Sequence, residues 1–276
     1  MKSLIKSLCP PILMELYRSL QKSAHNQFSG DYQSWEDARN SCTGYDDEAI
    51  FQKVKEASLK VKNGFAVFER DAVLFDEIQY SWPVLSGLLM ACDNNSLSVL
   101  DFGGAFGSSY HQNKKILQDS GVEKLIWTIV EQEKFVQCGK ENFQDKELQF
   151  FECIEACCDK QSVNVVLLSS VLPYVENPLE ILREISRMDA PYIIIDRTPI
   201  LVNEETPSRL AKQKVPASIY KASYPAWFFQ ESELLNIVEH DYEVLAKFAA
   251  LGGEVNLAEP VAKAEYVGYL LKRRIK

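Results

Sequence analysis

Five short apolar segments, separated by helical patterns, run through residues 98–196 of this chain. The apolar segments are residues 98–102, 125–130, 148–151, 163–168 and 192–196. Helical patterns at residues 113–120 and 179–188 lie between them. Near-continuous apolar strands that alternate with helices are typical of a parallel sheet covered on both faces. The pattern therefore predicts an α/β fold with a mostly parallel central sheet.

The segments on either side of this region predict different structure. Residues 242–249 and 265–272 are strand-like and are separated by Gly252-Gly253, which predicts a C-terminal antiparallel hairpin. Residues 46–62 and 84–92 have helical spacing.

The domain division follows from these segments. We expect an N-terminal helical extension or cap in residues 1–92, with a loop and a short helix at 28–44. A Rossmann-like domain is expected in residues 93–276. A chain of 276 residues is long enough for one large domain with an added cap.

Composition argues against two classes of function. The formal net charge is −9 and no long Lys/Arg run occurs, so nucleic-acid binding is not expected. The seven cysteines form no C-x-x-C pair and only three histidines are present, so no metal site is expected. Several cysteines stand in apolar segments, which fits reduced thiols in a cytoplasmic protein.

The N-terminus begins with a basic stretch but does not continue as a signal peptide. Pro10-Pro11, Glu15 and Arg18 interrupt the apolar stretch that such a peptide needs, and no run approaches a membrane span. Residues 11–20 predict a short amphipathic helix. We expect it to pack on the domain, with weak peripheral contact with a membrane as the alternative.

A glycine-rich stretch follows the first apolar strand. That strand ends at Asp101 and leads into Gly103, Gly104 and Gly107 before a helix begins. Glycines let the backbone approach a ligand closely, and open α/β sheets bind ligands at this end of their strands. A dinucleotide fingerprint starting at Gly103 matches poorly, because Ala105 and a serine occupy its third and sixth places. A glycine-rich turn without a ligand is the alternative.

The same stretch resembles the methyltransferase motif D-x-G-x-G-x-G. Asp101, Gly103 and Gly107 fall on the motif, Ala105 replaces its middle glycine, and Gly104 is extra. The predicted strands and terminal hairpin also resemble the layout of the class I methyltransferase fold. This resemblance implies S-adenosyl-L-methionine (SAM) as cofactor, with the loop along its methionine part and Asp101 near its ammonium group.

Polar residues at the ends of later strands complete the expected cofactor site. Glu131 ends the second strand, where an acid can accept both ribose hydroxyls, although NAD-binding proteins share this feature. Glu152 could flank adenine or lie at the surface, and Ser169-Ser170 could contact the cofactor or simply end the fourth strand. The predicted cofactor-binding residues are Asp101, Phe102, Gly103, Gly104, Ala105, Gly107, Glu131, Glu152, Ser169 and Ser170.

From about Phe28 onward the chain resembles one family of SAM-dependent methyltransferases associated with bacterial surface-polysaccharide (lipopolysaccharide/O-antigen) gene clusters. The segments that carry this resemblance are Gly30-Asp31-Tyr32-Gln33-Ser34-Trp35, Gly44-Tyr45-Asp46, Glu69-Arg70-Asp71 with Phe75, Tyr80-Ser81-Trp82-Pro83, Leu100-Asp101-Phe102-Gly103-Gly104 and Ala222-Ser223-Tyr224-Pro225-Ala226-Trp227-Phe228. The resemblance implies methyl transfer to a small-molecule acceptor, with a sugar or glycan precursor as one candidate.

The expected acceptor site follows the fifth strand. Asp196 is the candidate general base, with a structural hydrogen-bonding role as the alternative. Residues 219–227 form an expected aromatic lid, since aromatic faces suit sugar rings or planar groups. The predicted acceptor-pocket residues are Tyr174, Arg197, Tyr220, Tyr224 and Trp227.

Two other functions stay open at this point. A nicotinamide-dependent sugar oxidoreductase would share the acid at the second strand end, but it fits the glycine register poorly. A non-catalytic protein that retains the fold is compatible with Ala105 in place of the middle glycine.

Overall fold

The computed structural model describes residues 27–43, 48–158, 162–216 and 222–275. Its strands in these ranges are β1 (Gln27–Tyr32), β2 (Phe68–Arg70), β3 (Val73–Phe75), β4 (Ser96–Phe102), β5 (Lys124–Val130), β6 (Leu148–Phe151), β7 (Val165–Ser169), β8 (Tyr192–Leu201), β9 (Arg209–Lys214), β10 (Ser223–Phe228), β11 (Tyr242–Leu257) and β12 (Ala262–Arg273). Its helices are α1 (Trp35–Asn40), α2 (Glu48–Lys62), α3 (Trp82–Met90), α4 (Ser108–Asp119), α5 (Glu133–Asn142), α6 (Ile154–Cys158), α7 (Pro178–Ser186) and α8 (Glu231–Leu235), with a short 3₁₀ turn at Leu172–Tyr174. The predicted helix at 11–20, the start of the helix predicted at 46–62, and Tyr220 lie outside the described residues.

Five parallel strands form one half of the ten-stranded sheet in the order β6-β5-β4-β7-β8, with β6 at its edge. The predicted apolar runs are these strands, and Val99, Leu167 and Ile194 in them are completely buried. The predicted α/β fold with a mostly parallel central sheet is therefore confirmed. The chain proceeds outward from β4 to β6 and then returns to β7, so the strand order reverses beside β4. Open α/β sheets bind their ligands in the crevice at such a reversal.

Helices cover both faces of this sheet. Successive residues of a strand point to opposite faces, and Ile194 accordingly packs with Leu85 and Leu88 of α3 in one core cluster. Its neighbours Ile193 and Ile195 pack in the other cluster with residues of α7. Within the described ranges, no helix combines the length and apolar composition needed to cross a bilayer.

The predicted C-terminal hairpin is present as β11 and β12, and β12 also pairs antiparallel with β8. The predicted position of its turn is wrong, because Gly252-Gly253 lie within β11 and the turn is at 258–261. The β8–β12 register shifts where Ile195 faces Tyr269 and Thr198 faces Val267. Two residues of β8, Asp196 and Arg197, therefore oppose Gly268 alone, which defines a β-bulge.

Three further strands extend the sheet past the hairpin in the order β10-β9-β1-β11. The loop expected within residues 28–44 is wrong at residues 28–32, because β1 pairs there with β9 and the rings of Phe28 and Phe228 pack edge-on at 5.0 Å. The described part of the aromatic segment at 219–227 is strand β10, which pairs with β9 along its whole length, and the expected role as a lid stays a prediction. The domain boundary predicted after residue 92 stays a prediction. Strand β1 precedes this boundary but belongs to the ten-stranded sheet.

The helix predictions were right in position and less accurate in extent. Helix α4 begins at Ser108, five residues before the predicted start, because Gly107 caps it directly after the glycine loop. Helix α5 and strand β9 were not predicted.

The β-bulge generates a test of packing. A Cβ added at Gly268 would overlap the Phe248 ring and lie 2.7 Å from the carbonyl oxygen of Ile195, which is backbone. We expect Gly268→Ala to lower the free energy of unfolding by about 1–3 kcal/mol in urea titrations. Gly87→Ala is the matched control, because its Cβ would meet only the mobile ends of Ile194 and Leu270, at 2.7 and 2.9 Å. Equal losses in the two variants would contradict this account of the bulge.

Candidate functional site

The glycine loop folds tightly onto the strand ends. Gly103 has φ +73°, and a Cβ on it would overlap the side chain of Val171, which follows β7. A Cβ on Gly104 would lie 2.6 Å from Cγ of Asp101. Gly107, with φ +92°, caps helix α4, and its amide donates to the carbonyl oxygen of Gly104 at 2.9 Å. Side chains at the first two of these positions would prevent the close approach.

Asp101 lies beneath this loop and is 1% exposed. Its Oδ2 accepts a hydrogen bond from Nε1 of Trp127 on the neighbouring strand at 3.0 Å. Burial raises the pKa of Asp101 to about 7, against the opposing effects of the Trp127 hydrogen bond and the Arg197 charge. The carboxylate thus supports the loop from below, and its predicted role near an ammonium group stays a prediction.

Glu131 holds the loop from the other side. Its carboxylate accepts the backbone N–H of Gln132 at 2.7 Å and that of Ala105 in the loop. Burial raises the pKa of Glu131, while these two amide hydrogen bonds lower it. Ala105 stands in the left-handed region with φ +48°. The structure thus brings together the loop and the two acids that the sequence predicted.

The remaining predicted cofactor residues are less uniformly placed. Phe102 is half-buried against the core, and Glu152 is exposed just after β6. Ser169 ends β7 and its hydroxyl donates to Oδ2 of Asp196 at 2.8 Å. Ser170 has φ +59°, and its amide donates to the carbonyl oxygen of Asp196 at 2.9 Å.

A polar cleft opens beside the loop and is partly open to solvent. The end of β7, the bulge of β8, the first turn of α4, the β2–β3 hairpin and the β11–β12 hairpin enclose it. The lining residues are Phe68, Arg70, Ser81, Ser108, Ser109, Gln112, Ser169, Asp196, Arg197 and Leu251.

Asp196 and Arg197 enter the cleft from the bulge of β8. Asp196 is 4% exposed, and its Oδ1 is buried without a hydrogen-bond partner. Its Oδ2 receives the Ser169 hydroxyl and lies 3.5 Å from Nε of Arg197. Arg197 adopts φ +51°, and its guanidinium also donates to the Ser169 oxygen at 3.2 Å. The cleft therefore contains a fixed carboxylate with one unfilled acceptor position.

The predicted aromatic residues lie in different surroundings. Tyr174 meets Tyr224 edge-on at 5.3 Å and shares a hydrogen bond with Tyr266, and burial raises the pKa of Tyr174 and of Tyr266. The charge of Arg197 acts on Tyr266, but none of these three tyrosines is among the cleft-lining residues. Trp227 packs against the core cluster under β8 and is not among the cleft-lining residues.

The β2–β3 hairpin supplies functional candidates that the sequence reasoning missed. Glu69 is 2% exposed and accepts hydrogen bonds from Ser58 at 3.3 Å and from Ser108 at the start of α4. Burial raises the pKa of Glu69. Arg70 lines the cleft next to it. The available signal was three consecutive charged residues, 69–71, which served only to indicate a family resemblance.

No protein-family model and no curated protein matches this sequence. Among solved structures, the N-terminal domain of EvdMO1 with SAH bound is 14% identical, covers 83% of this chain and 98% of its own, and gives a TM-score of 0.48. The magnesium protoporphyrin IX methyltransferase of Synechocystis PCC 6803 with bound SAM is 12% identical. The match covers 70% of this chain and 77% of that structure, with a TM-score of 0.40. The [4+2]-cyclase SpnF is 12% identical, and the match covers 83% of this chain and 96% of that structure, with a TM-score of 0.46. These scores are below 0.5, so the fold rests on the strand order of this chain itself.

The raised pKa of Asp101 predicts a pH-dependent stability difference. Because its folded pKa of about 7 exceeds the ordinary 3.8, Asp101 contributes stability that is complete below about pH 4 and lost as the pH rises through 7. Asp101→Asn does not titrate and keeps an oxygen for Trp127. As the pH rises from about 5 to 8, we expect the free energy of unfolding of the variant to increase by on the order of 1–3 kcal/mol relative to that of the native chain.

Urea unfolding at several pH values measures this difference. The control is Asp119→Asn, at an exposed carboxylate paired with Lys115 on α4, where no such relative gain is expected. If the free energy of unfolding changes with pH equally in the native chain and in Asp101→Asn, the buried Asp101 carboxylate does not cause the pH dependence.

Proposed function

We propose that this chain is a SAM-dependent methyltransferase acting on a small-molecule acceptor. The observation that carries the proposal is the glycine loop, fixed between buried Asp101 and Glu131 where the strand order reverses, with a polar cleft beside it. A carboxylate at the end of the neighbouring strand suits ribose hydroxyls, and a tight loop at this position suits the amino-acid end of the cofactor.

The residues present fit this cofactor. The loop between Gly103 and Gly107 would lie along its methionine part, and Glu131 would exchange its bonds to backbone amides for the two ribose hydroxyls. Ser169 and Ser170 would stand between cofactor and acceptor. When bound, SAM supplies a methyl group on a positively charged sulfur.

The acceptor site has the parts needed to handle a hydroxyl proton. The unpartnered, buried Oδ1 of Asp196 can accept that proton, while Ser169 and Arg197 hold the other carboxylate oxygen. A general base must lie within hydrogen-bond reach of the proton it takes, and a fixed carboxylate in a cleft meets this condition. Burial of the reacting groups also limits access of water.

A sugar or glycan precursor is the acceptor class that we propose, with surface-polysaccharide synthesis as its setting. The family resemblance in the sequence supports it, as does the aromatic group of Tyr174, Tyr224 and Tyr266, because the charge of Arg197 in the cleft acts on Tyr266. Aromatic faces pack against the apolar faces of sugar rings while their hydroxyls remain available for hydrogen bonds.

Titration with S-adenosyl-L-homocysteine tests the cofactor assignment. We expect saturable binding to the native chain and a ten- to hundred-fold loss in Glu131→Ala, since about 1.4 kcal/mol corresponds to each tenfold change. Glu141→Ala, at an exposed acid on α5, is the control and should bind as the native chain does.

Two results would redirect the proposal. Saturable binding of NADH with none of S-adenosyl-L-homocysteine would favour the sugar oxidoreductase. Absence of any nucleoside ligand, both in titrations and in mass spectra of the purified protein, would favour a non-catalytic protein that retains the fold.

A further inference from the structure

We propose that Arg70 and Arg197 form an anion-binding subsite in the cleft, and that the acceptor carries a carboxylate or phosphate group which this subsite receives. The inference deepens the proposed function and rests on it. Within the proposed sugar class, it selects acidic or phosphorylated sugars over neutral ones.

Arg70 has a guanidinium with unused hydrogen-bonding capacity. Its Nη2 donates to Oε1 of Gln79 at 3.1 Å, and its Cζ lies 5.3 Å from the centre of the Phe75 ring. Its Nη1 is buried and has no hydrogen-bond partner, and no carboxylate of the described residues lies within 4.0 Å of the group. A buried charged donor left unpaired is costly, so an anion in the cleft would stabilise this arrangement.

Arg197 reaches the same cleft and is held only loosely by carboxylates. Its Nε lies 3.5 Å from Asp196, and its Nη1 lies 4.0 Å from Asp71 at the tip of the β2–β3 hairpin. Neither contact is the short, bidentate pairing that arginine forms with a committed carboxylate partner. The bulge and the positive φ of Arg197 aim this side chain into the cleft instead of leaving it in the regular alternation of β8.

The two guanidinium groups are close enough to affect each other. The pKa of Arg70 is lowered by burial first and by the positive charge of Arg197 second. Three carboxyl groups offset this charge in part. The side chain of Asp71 is 72% exposed and therefore screened by water, and the buried carboxylate of Glu69 is engaged by the hydroxyls of Ser58 and Ser108. Asp196 is buried, lies beside Arg197 and acts on the charge of Arg70.

The position of the subsite assigns the anion to the acceptor. Arg197 adjoins Asp196, so a molecule that binds both places its anionic group next to the proton acceptor. Glu131, the proposed ribose ligand, lies at the end of β5, on the far side of β4 from β7 and β8. An acceptor with both a hydroxyl and an oxyanion therefore matches the cleft.

Inorganic phosphate is the probe. It is titrated by calorimetry into the full chain, with and without saturating S-adenosyl-L-homocysteine. We expect saturable binding near the millimolar range for the native chain, at least about tenfold weaker binding in Arg70→Met and in Arg197→Met, and no change in Arg183→Met. Arg183 is the matched control, because it is exposed on α7 and does not line the cleft.

Folding is monitored by thermal unfolding, and Arg70→Lys and Arg197→Lys keep the charge if either methionine variant fails to fold. The lysine variants should lose the bidentate geometry but keep phosphate binding within a few-fold. Phosphate that does not saturate the native chain, or that binds all variants equally, overturns the subsite.

A second nucleoside separates the two sources of an anion. S-adenosyl-L-homocysteine has a carboxylate and 5′-methylthioadenosine has none. If Arg70→Met weakens binding of the first nucleoside but not of the second, the subsite binds the cofactor, and its assignment to the acceptor is overturned. Failure of both nucleosides to bind the native chain contradicts the proposed function, and the phosphate titration without nucleoside still reports on the subsite.

Discussion

The hydrogen bond between Asp101 and Trp127 joins strands β4 and β5 at the point where the glycine loop begins. A buried carboxylate needs such a partner, because an unpaired one would lose the free energy of its hydration. With the side chain fixed there, Gly104 can pack directly over it and Gly103 can turn against Val171. The shape of the loop, and hence of any ligand site above it, depends on this contact.

Backbone strain is concentrated around the same region. Ala105, Ser170, Arg197 and Asp71 all have positive φ, although none is glycine. Each such conformation costs on the order of 1 kcal/mol or more and persists only where its surroundings impose it. Here the surroundings are the loop, the end of β7, the bulge of β8 and the tip of the β2–β3 hairpin. Three of these elements, the end of β7, the bulge of β8 and the β2–β3 hairpin, contribute residues to the cleft lining.

The predicted elements and the missed ones differ in the range of their interactions. The strands β4 to β8 could be recognised because both their faces are buried, which leaves a continuous apolar run in the sequence. Strand β1 could not, because its six residues alternate in burial and pair with β9, far away along the chain. The aromatic stretch of β10 was interpreted as a lid, because local composition does not show that a strand partner exists.

The sequence by itself determined the α/β order, the position of the glycine loop, and the acids Asp101 and Glu131 at neighbouring strand ends, since parallel strands place their carboxyl ends at one edge. Only the tertiary structure decided which charged residues share the cleft. Arg70 and Arg197 belong to separate elements and meet because the β2–β3 hairpin is anchored at Glu69 and Ser108 while the bulge redirects β8. Contacts of this kind depend on packing between segments that are distant along the chain, so the local periodicity of the sequence does not predict them.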